Sequence, residues 1–330
     1  MLEYISEYIL FLVETLTIVL SIAGGLIIVI AFAAKSKLEM QDGAIKIKNL
    51  NKKYKEQIRK IKEKTLSKTE LKDFLKNDKK SKKQIKSKPK LFVIDFNGDI
   101  KASDVESLRK KISAIILTAD SKKDEVLLNL ESPGGMVHGY GLAAAELARL
   151  RDKKIKLTIA VDKVAASGGY LMASIANKII AAPFAIVGSI GVIAQIPNFN
   201  KLLKKHNVDF EQHTAGEYKR TLTIFGENTD EGRAKFQEEL EGTHVLFKEY
   251  LETYREKLDI DKVATGEHWY AKQAIDLNLV DEILTSDDFI LNSLDKFDIF
   301  SLNFKQKKSF FEKLNGSASS LLMNILHRYN

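Results

Sequence analysis

The chain contains no cysteine. Disulfides, zinc–thiolate sites and thiol nucleophiles are therefore excluded, although the absence fixes no compartment. Histidine is scarce. The six residues His138, His206, His213, His244, His268 and His327 fall in no HExxH or similar metal-binding spacing. No metal or other cofactor is expected. Proline occurs four times and tryptophan once. Lysine and arginine are absent from the first 34 residues, which instead carry Glu3, Glu7 and Glu14. A cleaved secretory leader does not fit, because it needs a basic start and a shorter apolar run.

What those residues do contain is an uncharged run of twenty from Thr15 to Ala34, TLTIVLSIAGGLIIVIAFAA. About twenty apolar helical residues cross a bilayer core, so residues 1–34 are expected to form an uncleaved transmembrane anchor. Ser21, Gly24 and Gly25 leave room for close helix packing there.

The net charge of +8 is unevenly spread. Residues 35–90 hold 21 basic and 7 acidic residues, whereas the remainder is mildly acidic. This Lys-rich segment reads as a tether with short helices between about Asn51 and Asn77 and a disordered end, NDKKSKKQIKSKPK. Its charge suits a solvated linker or a surface drawn to anionic lipid headgroups. Nucleic acid is disfavoured as a partner, since the segment's aromatic residues, Tyr54 and Phe74, are too few to stack a run of bases.

From Lys90 onwards the pattern changes. LFVIDFNGDI, EVLLNLESPGG and KLTIAVDKVA read as buried strands, and residues 103–118 and 139–150 as helices between them. Strands alternating with helices give an α/β class. Residues 179–196 are apolar but broken by Pro183, Gly188 and Gly191, so no second membrane span is expected. Trp269 and Tyr270 are expected in the core. Residues 297–330 read as an amphipathic tail able to touch a membrane or a sister subunit.

Four short stretches carry chemistry. In VAASGGY, Ser167 sits at a strand–helix junction among Ala165, Ala166, Gly168 and Gly169, where a substrate backbone can come close. The N–H of Gly168 lies at a helix start, a good place to hold developing negative charge. In SPGG, Gly134 and Gly135 follow a strand and can expose amides, making half of an oxyanion hole. GSIG holds Ser189, and GEYKR holds Lys219. A lysine becomes a general base when burial or a neighbouring cation lowers its pKa, and Arg220 is such a neighbour. Each stretch alone is equally a tight turn or a surface charge. His138, close to SPGG, reads as a solvated loop residue.

Taken in order, SPGG, ASGGY, GSIGV and GEYK resemble the SohB/SppA family of membrane-bound Ser–Lys signal peptide peptidases, most closely its SohB branch. AGEYKRTLTIFGENTDEGRAKF and VATGEHWYAKQAIDLNLVDEI resemble that branch as well. The match spans roughly Leu91 to Ile283. It implies a ClpP/crotonase-like fold of repeated ββα units over residues 91–296. It also implies Ser167 as nucleophile and Lys219 as general base. Gly135 and Gly168 would supply oxyanion amides, and Ser189 would orient the lysine. The partners implied are peptide or protein substrates, membrane lipid and further copies of the chain in a homo-oligomer. The place implied is a single pass through the bacterial inner (cytoplasmic) membrane. The resemblance puts the catalytic domain in the periplasm. Six lysines within twenty residues after the anchor put it in the cytoplasm. Two rival readings share the fold: a catalytically silent membrane scaffold ring and a crotonase-type acyl-CoA enzyme.

Overall fold

The computed structural model describes residues 10–25, 43–81 and 88–305. It divides into two units, Met1–Lys46 with Phe304–Asn330, and Ile47–Asn303. In the first, residues 10–25 are helical (α1). The hydroxyls of Thr15, Thr17 and Ser21 each donate to the carbonyl four residues back, at 2.7 Å. Among the described residues no helix is long and apolar enough to cross a membrane. Residues 1–9 and 26–34 of the expected anchor lie outside the described residues, as do 35–42 and 82–87 of the Lys-rich segment and 306–330 of the expected tail.

The larger unit is α/β. Its principal sheet is built from β2 (Lys90–Asn97), β3 (Glu125–Glu131), β4 (Lys156–Val161), β6 (Lys178–Ala181), β9 (Glu282–Ile283) and β10 (Asp298–Lys305). The order is β10-β2-β3-β4-β6-β9, with β1 (Ala44–Asn49) beyond β10, and all five pairings from β10 to β9 are parallel. Runs such as KLFVIDFN and EVLLNLE suit central parallel strands, which are covered on both faces and therefore apolar almost throughout. Helices α4 (Val105–Thr118) and α5 (Val137–Asp152) follow β2 and β3. Leu108, Ile112 and Ile115 of α4 and Leu147 and Leu150 of α5 are fully buried, at helical spacing.

A second sheet contains β5 (Val164–Ala166), β7 (Ile186–Gly188) and β8 (His268–Tyr270). KLTIAVDKVA, read as one strand, is thus two: Asp162 and Lys163 turn the chain from one sheet to the other. The unit β4–β5–α6, with α6 spanning Gly168–Ser174, takes a strand from each sheet and then a helix. Ser132 repeats the pattern, forming a single parallel bridge to Ala165 between β3 and α5.

The short helices expected between about Asn51 and Asn77 are present, and the start of the expected tail is more ordered than the sequence suggests. Inside the Lys-rich segment, α2 (Leu50–Thr65) and α3 (Lys68–Ser81) are helices. Asn51 fixes the start of α2: its Nδ2 donates to the carbonyls of Leu294 and Phe297, and its Oδ1 accepts from the N–H of Ile299 at 2.6 Å. At the other end, Asp298–Lys305, placed in the tail by the sequence reading, is β10 of the main sheet, with Ile299 fully buried. Its alternation is that of a strand, hidden from a helix-based reading by the polar residues that follow. Tyr270, expected in the core, is 47% exposed and packs edge-on against exposed Phe184. Trp269 is half-buried.

Candidate active site

Ser167 stands where β5 gives way to α6. Its N–H donates to the carbonyl of Gly188 at 2.8 Å, one step beyond the last registered pair, Ala166 and Gly188. Its backbone has φ +51° and ψ −121°. A residue with a Cβ reaches that region only at a cost of about 1–3 kcal/mol, and such strand-to-helix turns present a serine hydroxyl outwards. Ser167 is half-buried.

The SPGG loop is tied to the same turn. Ser132 donates its N–H to the carbonyl of Val164 at 2.8 Å and accepts from the N–H of Ala166 at 3.0 Å. Its hydroxyl accepts from the N–H of Gly134 and lies 2.6 Å from the hydroxyl of Tyr140. Tyr140 donates to the carbonyl of Asp99 at 2.8 Å. The tyrosine has one proton, so Ser132 must donate to it, and the chain Gly134 → Ser132 → Tyr140 → Asp99 has one direction. Burial pushes the Tyr140 phenol above its ordinary pKa, which keeps that proton in place.

Glycine is required here for contact as well as conformation. Gly134 has φ +90°, and a Cβ on it would lie 2.8 Å from both the Ala166 oxygen and the Ser167 Cβ. A Cβ on Gly168 would strike the ring of Tyr140, and one on Gly135 the carbonyl of Ile100. Among the described residues, no backbone or side-chain acceptor takes the N–H of Gly135 or Gly168.

Ser167, Gly168 and Gly135 open on one cavity of about 230 Å³. Most of its remaining lining is apolar and includes Leu171 and Ile193. Across it runs α8 (Asp230–Tyr254), which contributes Thr243, Leu246, Phe247 and Tyr250. These four stand at i, i+3, i+4 and i+7, one face of a helix. Sequence reasoning missed them and Tyr140. The i, i+3, i+4, i+7 spacing was the available signal for the α8 residues, but nothing in it distinguishes a cavity wall from a core.

The other expected site residues fall as follows. Ser189 directly follows β7, half-buried, with φ +53° and its N–H donating to the carbonyl of Glu267. Lys219 is exposed, in a turn where its N–H donates to the carbonyl of Gly216 at 3.2 Å. It is not among the residues lining the Ser167 cavity. The segment that carries it is gathered by Phe210 and Phe199 against Phe225, at ring separations of 5.8 and 6.3 Å. The structure therefore brings Ser167, Gly168 and Gly135 together, sets Ser189 one strand away, and leaves Lys219 at the surface. His138 is exposed on α5 and does not line the cavity.

Comparison with known proteins bears on the chain as a whole. Residues 3–147 match the description Peptidase family S49 N-terminal, and residues 149–297 match Peptidase family S49. Probable protease SohB of Haemophilus influenzae is 48% identical over 99% of this chain and 97% of its own length. This chain belongs to peptidase family S49, the SohB/SppA family. Within it, probable protease SohB of Buchnera aphidicola subsp. Schlechtendalia chinensis is 60% identical over 71% of this chain and 75% of its own. A solved membrane-bound stomatin-specific protease aligns with 71% of the chain at 13% identity and a TM-score of 0.43, a distant likeness. The family members support a serine peptidase acting on peptides or proteins.

Proposed function

We propose that the chain is a membrane-anchored serine endopeptidase with Ser167 as nucleophile and Lys219 as general base. The observation that carries this reading is Ser167 itself. It is a strained serine at a strand–helix turn, facing an apolar cavity beside two backbone N–H groups without protein acceptors. In acylation the Ser167 oxygen bonds to the substrate carbonyl carbon while its proton passes to the Lys219 amine. The N–H groups of Gly168 and Gly135 hold the oxyanion. Collapse breaks the C–N bond, and the lysine returns the proton to the leaving amine. Water, deprotonated by the same lysine, then releases the acyl group. Ser189 orients the amine.

A lysine base must be neutral, and so withdrawn from water. In one chain Lys219 lies on a solvated turn outside the cavity. We therefore assign it to an assembly in which a second copy covers the turn or exchanges it, making the working unit a homo-oligomer. The ββα repetition supports a ClpP/crotonase-like ancestry, in which rings are built this way. Residues 1–34 would anchor it as a single pass in the inner membrane. Hydroxyls satisfied within α1 suit a lipid environment.

Fluorophosphonate labelling of the full chain tests the reading. Wild type should be labelled and Ser167→Ala should not. Both Ser167→Ala and Lys219→Ala should lose peptide hydrolysis, and a mixture of the two should recover part of it if the pair forms between copies. Labelling or hydrolysis that survives Ser167→Ala ends the peptidase assignment for this serine, and a wild type that is neither labelled nor hydrolytic favours the scaffold reading.

A further inference from the structure

We propose that α2, inside the Lys-rich segment, is a lipid-contacting helix that lays an apolar stripe on an anionic bilayer surface. This goes beyond the peptidase reading and does not depend on it.

The helix is a fixed part of the larger unit. Asn49 caps it, accepting from the N–H of Lys52 at 2.9 Å, and Asn51 holds its first turn to the carbonyls of Leu294 and Phe297. Leu50 and Tyr54 pack against the buried cluster that contains Leu91, Val93 and Ile299. Beyond that point no partner among the described residues covers the apolar face: Ile58 is 44% and Ile61 62% exposed, and no residue of the helix is buried.

At about 100° per residue, Leu50, Tyr54, Ile58 and Ile61 fall within one arc of about 80°. Lys53 and Lys64 flank that arc on one side, Lys55 and Lys62 on the other. The acidic residues, Glu56 and Glu63, lie on the far face. The helix carries seven basic and two acidic residues. An apolar stripe rimmed on both sides by lysines matches a membrane interface, where the stripe enters the acyl boundary and the lysine stems reach back to phosphates. A water-exposed tether gives no reason for isoleucines at that spacing, and a protein partner gives none for a two-sided lysine rim. The next helix, α3, meets this rim through its ring at Phe74, over which Lys62 Nζ stands at 4.0 Å.

The absence of cysteine makes the test clean, because an introduced thiol is the only one. Full-length Ile61→Cys and Glu56→Cys would each carry an environment-sensitive NBD label and be reconstituted into phosphatidylcholine vesicles with and without phosphatidylglycerol. The label at 61 should brighten several-fold and shift to the blue with the anionic lipid. It should lose that gain in about 1 M salt, where the Debye length falls to about 3 Å. The label at 56 should change little. Replacing Lys53, Lys55, Lys62 and Lys64 together with glutamine should abolish the response at 61. Equal signals at 56 and 61, or no dependence on anionic lipid, overturns the proposal. So does a response at 61 that follows protein concentration or added duplex DNA without lipid. Failure of the anchor would show separately, as loss of co-flotation with neutral vesicles.

Discussion

Ser167 and Ser189 occupy the same step of two neighbouring parallel strands. Each directly follows the registered pair Ala166 and Gly188, and each turns out of its strand with a φ just above +50°, 51° and 53°. Two non-glycine residues side by side in this region concentrate strain at one edge of the small sheet. The sheet tolerates it because Ser167 N–H and Ser189 N–H are both held, by the carbonyls of Gly188 and Glu267. Strain kept beside a cavity is the expected trade of stability for a fixed reactive geometry.

That trade can be measured. Ser167→Gly removes the Cβ that makes the angle costly, and should raise stability by about 1 kcal/mol while ending hydrolysis. Ser167→Ala should also end hydrolysis but without the gain, because alanine keeps the Cβ. Thermal melts of the two variants decide it. If Ser167→Gly melts no higher than Ser167→Ala, the backbone there is not strained.

Gly134 lies against the Ser167–Gly168 peptide, and its replacement should act on the nucleophile from behind. A Cβ there meets the Ala166 oxygen and the Ser167 Cβ at 2.8 Å, with backbone on one side that cannot yield cheaply. Gly134→Ala should leave a folded protein with at least about 100-fold lower kcat/KM, as expected when a reacting group shifts by about 1 Å. Retention of full activity in a variant with native circular dichroism would show that the SPGG loop moves freely of the serine.

Ser132 and Tyr140 act as one unit on that loop. Tyr140→Phe keeps the ring against Gly168 but leaves the Ser132 proton without its acceptor, costing about 1–3 kcal/mol, while the Asp99 carbonyl keeps the N–H of Ala102. Ser132→Ala removes the acceptor of the Gly134 N–H. Because both cut the same chain, their effects on stability should be non-additive by about 0.5–3 kcal/mol. A role in positioning also predicts that kcat falls with KM nearly unchanged. Strict additivity, or a fall confined to KM, contradicts it.

How much of this was legible follows from what each signal depends on. The β2, β3 and β4 runs, together with α4 and α5, could be read because their apolar periodicity is local. Ser167, Gly168 and Gly135 could be singled out because SPGG and ASGGY stand in the order that resembles the SohB/SppA family, whereas each stretch alone reads equally as a tight turn. The α/β class and the SohB/SppA relationship held. The Asn51 clamp and the β10 pairing could not be read, because they join residues more than 200 positions apart. Tyr140 went unseen because its ring and its hydroxyl matter only after α5 folds back over SPGG. Lys219 lies on an exposed turn outside the cavity, and the GEYKR spacing carries no signal of its depth.

The start of α3 should respond to acid. Glu70 accepts from both the N–H and the hydroxyl of Ser67, and the Glu70 N–H lies 3.4 Å from that hydroxyl, a capping box. These bonds hold the Glu70 carboxyl below its ordinary value of 4.5. A lowered folded-state pKa means that the stabilisation is fully present above about 4.5 and is lost as pH falls through the folded value. Amide exchange in α3 should therefore quicken below pH 4.5 relative to α4. In Glu70→Gln that acid-dependent difference should vanish.

The α8 stripe should set which side chain is accepted next to the cut bond. Leu246, Phe247 and Tyr250 close one side of the cavity opposite Ser167, and nothing on that wall is charged. A small or medium apolar side chain therefore fits and a charged one does not. Phe247→Ala enlarges the space, so the ratio of kcat/KM for a phenylalanine substrate over its alanine counterpart should rise. Each methylene accommodated is worth about 1–3 kcal/mol, hence a shift of about tenfold or more. Tyr250→Phe keeps the wall and should leave the ratio alone. The cavity also changes shape without touching Ser167, so the rate of fluorophosphonate labelling should stay within a few-fold of wild type. If Phe247→Ala lowers all substrates equally, the cavity does not hold that side chain, and the selecting surface lies elsewhere along the SPGG and GSIG edges.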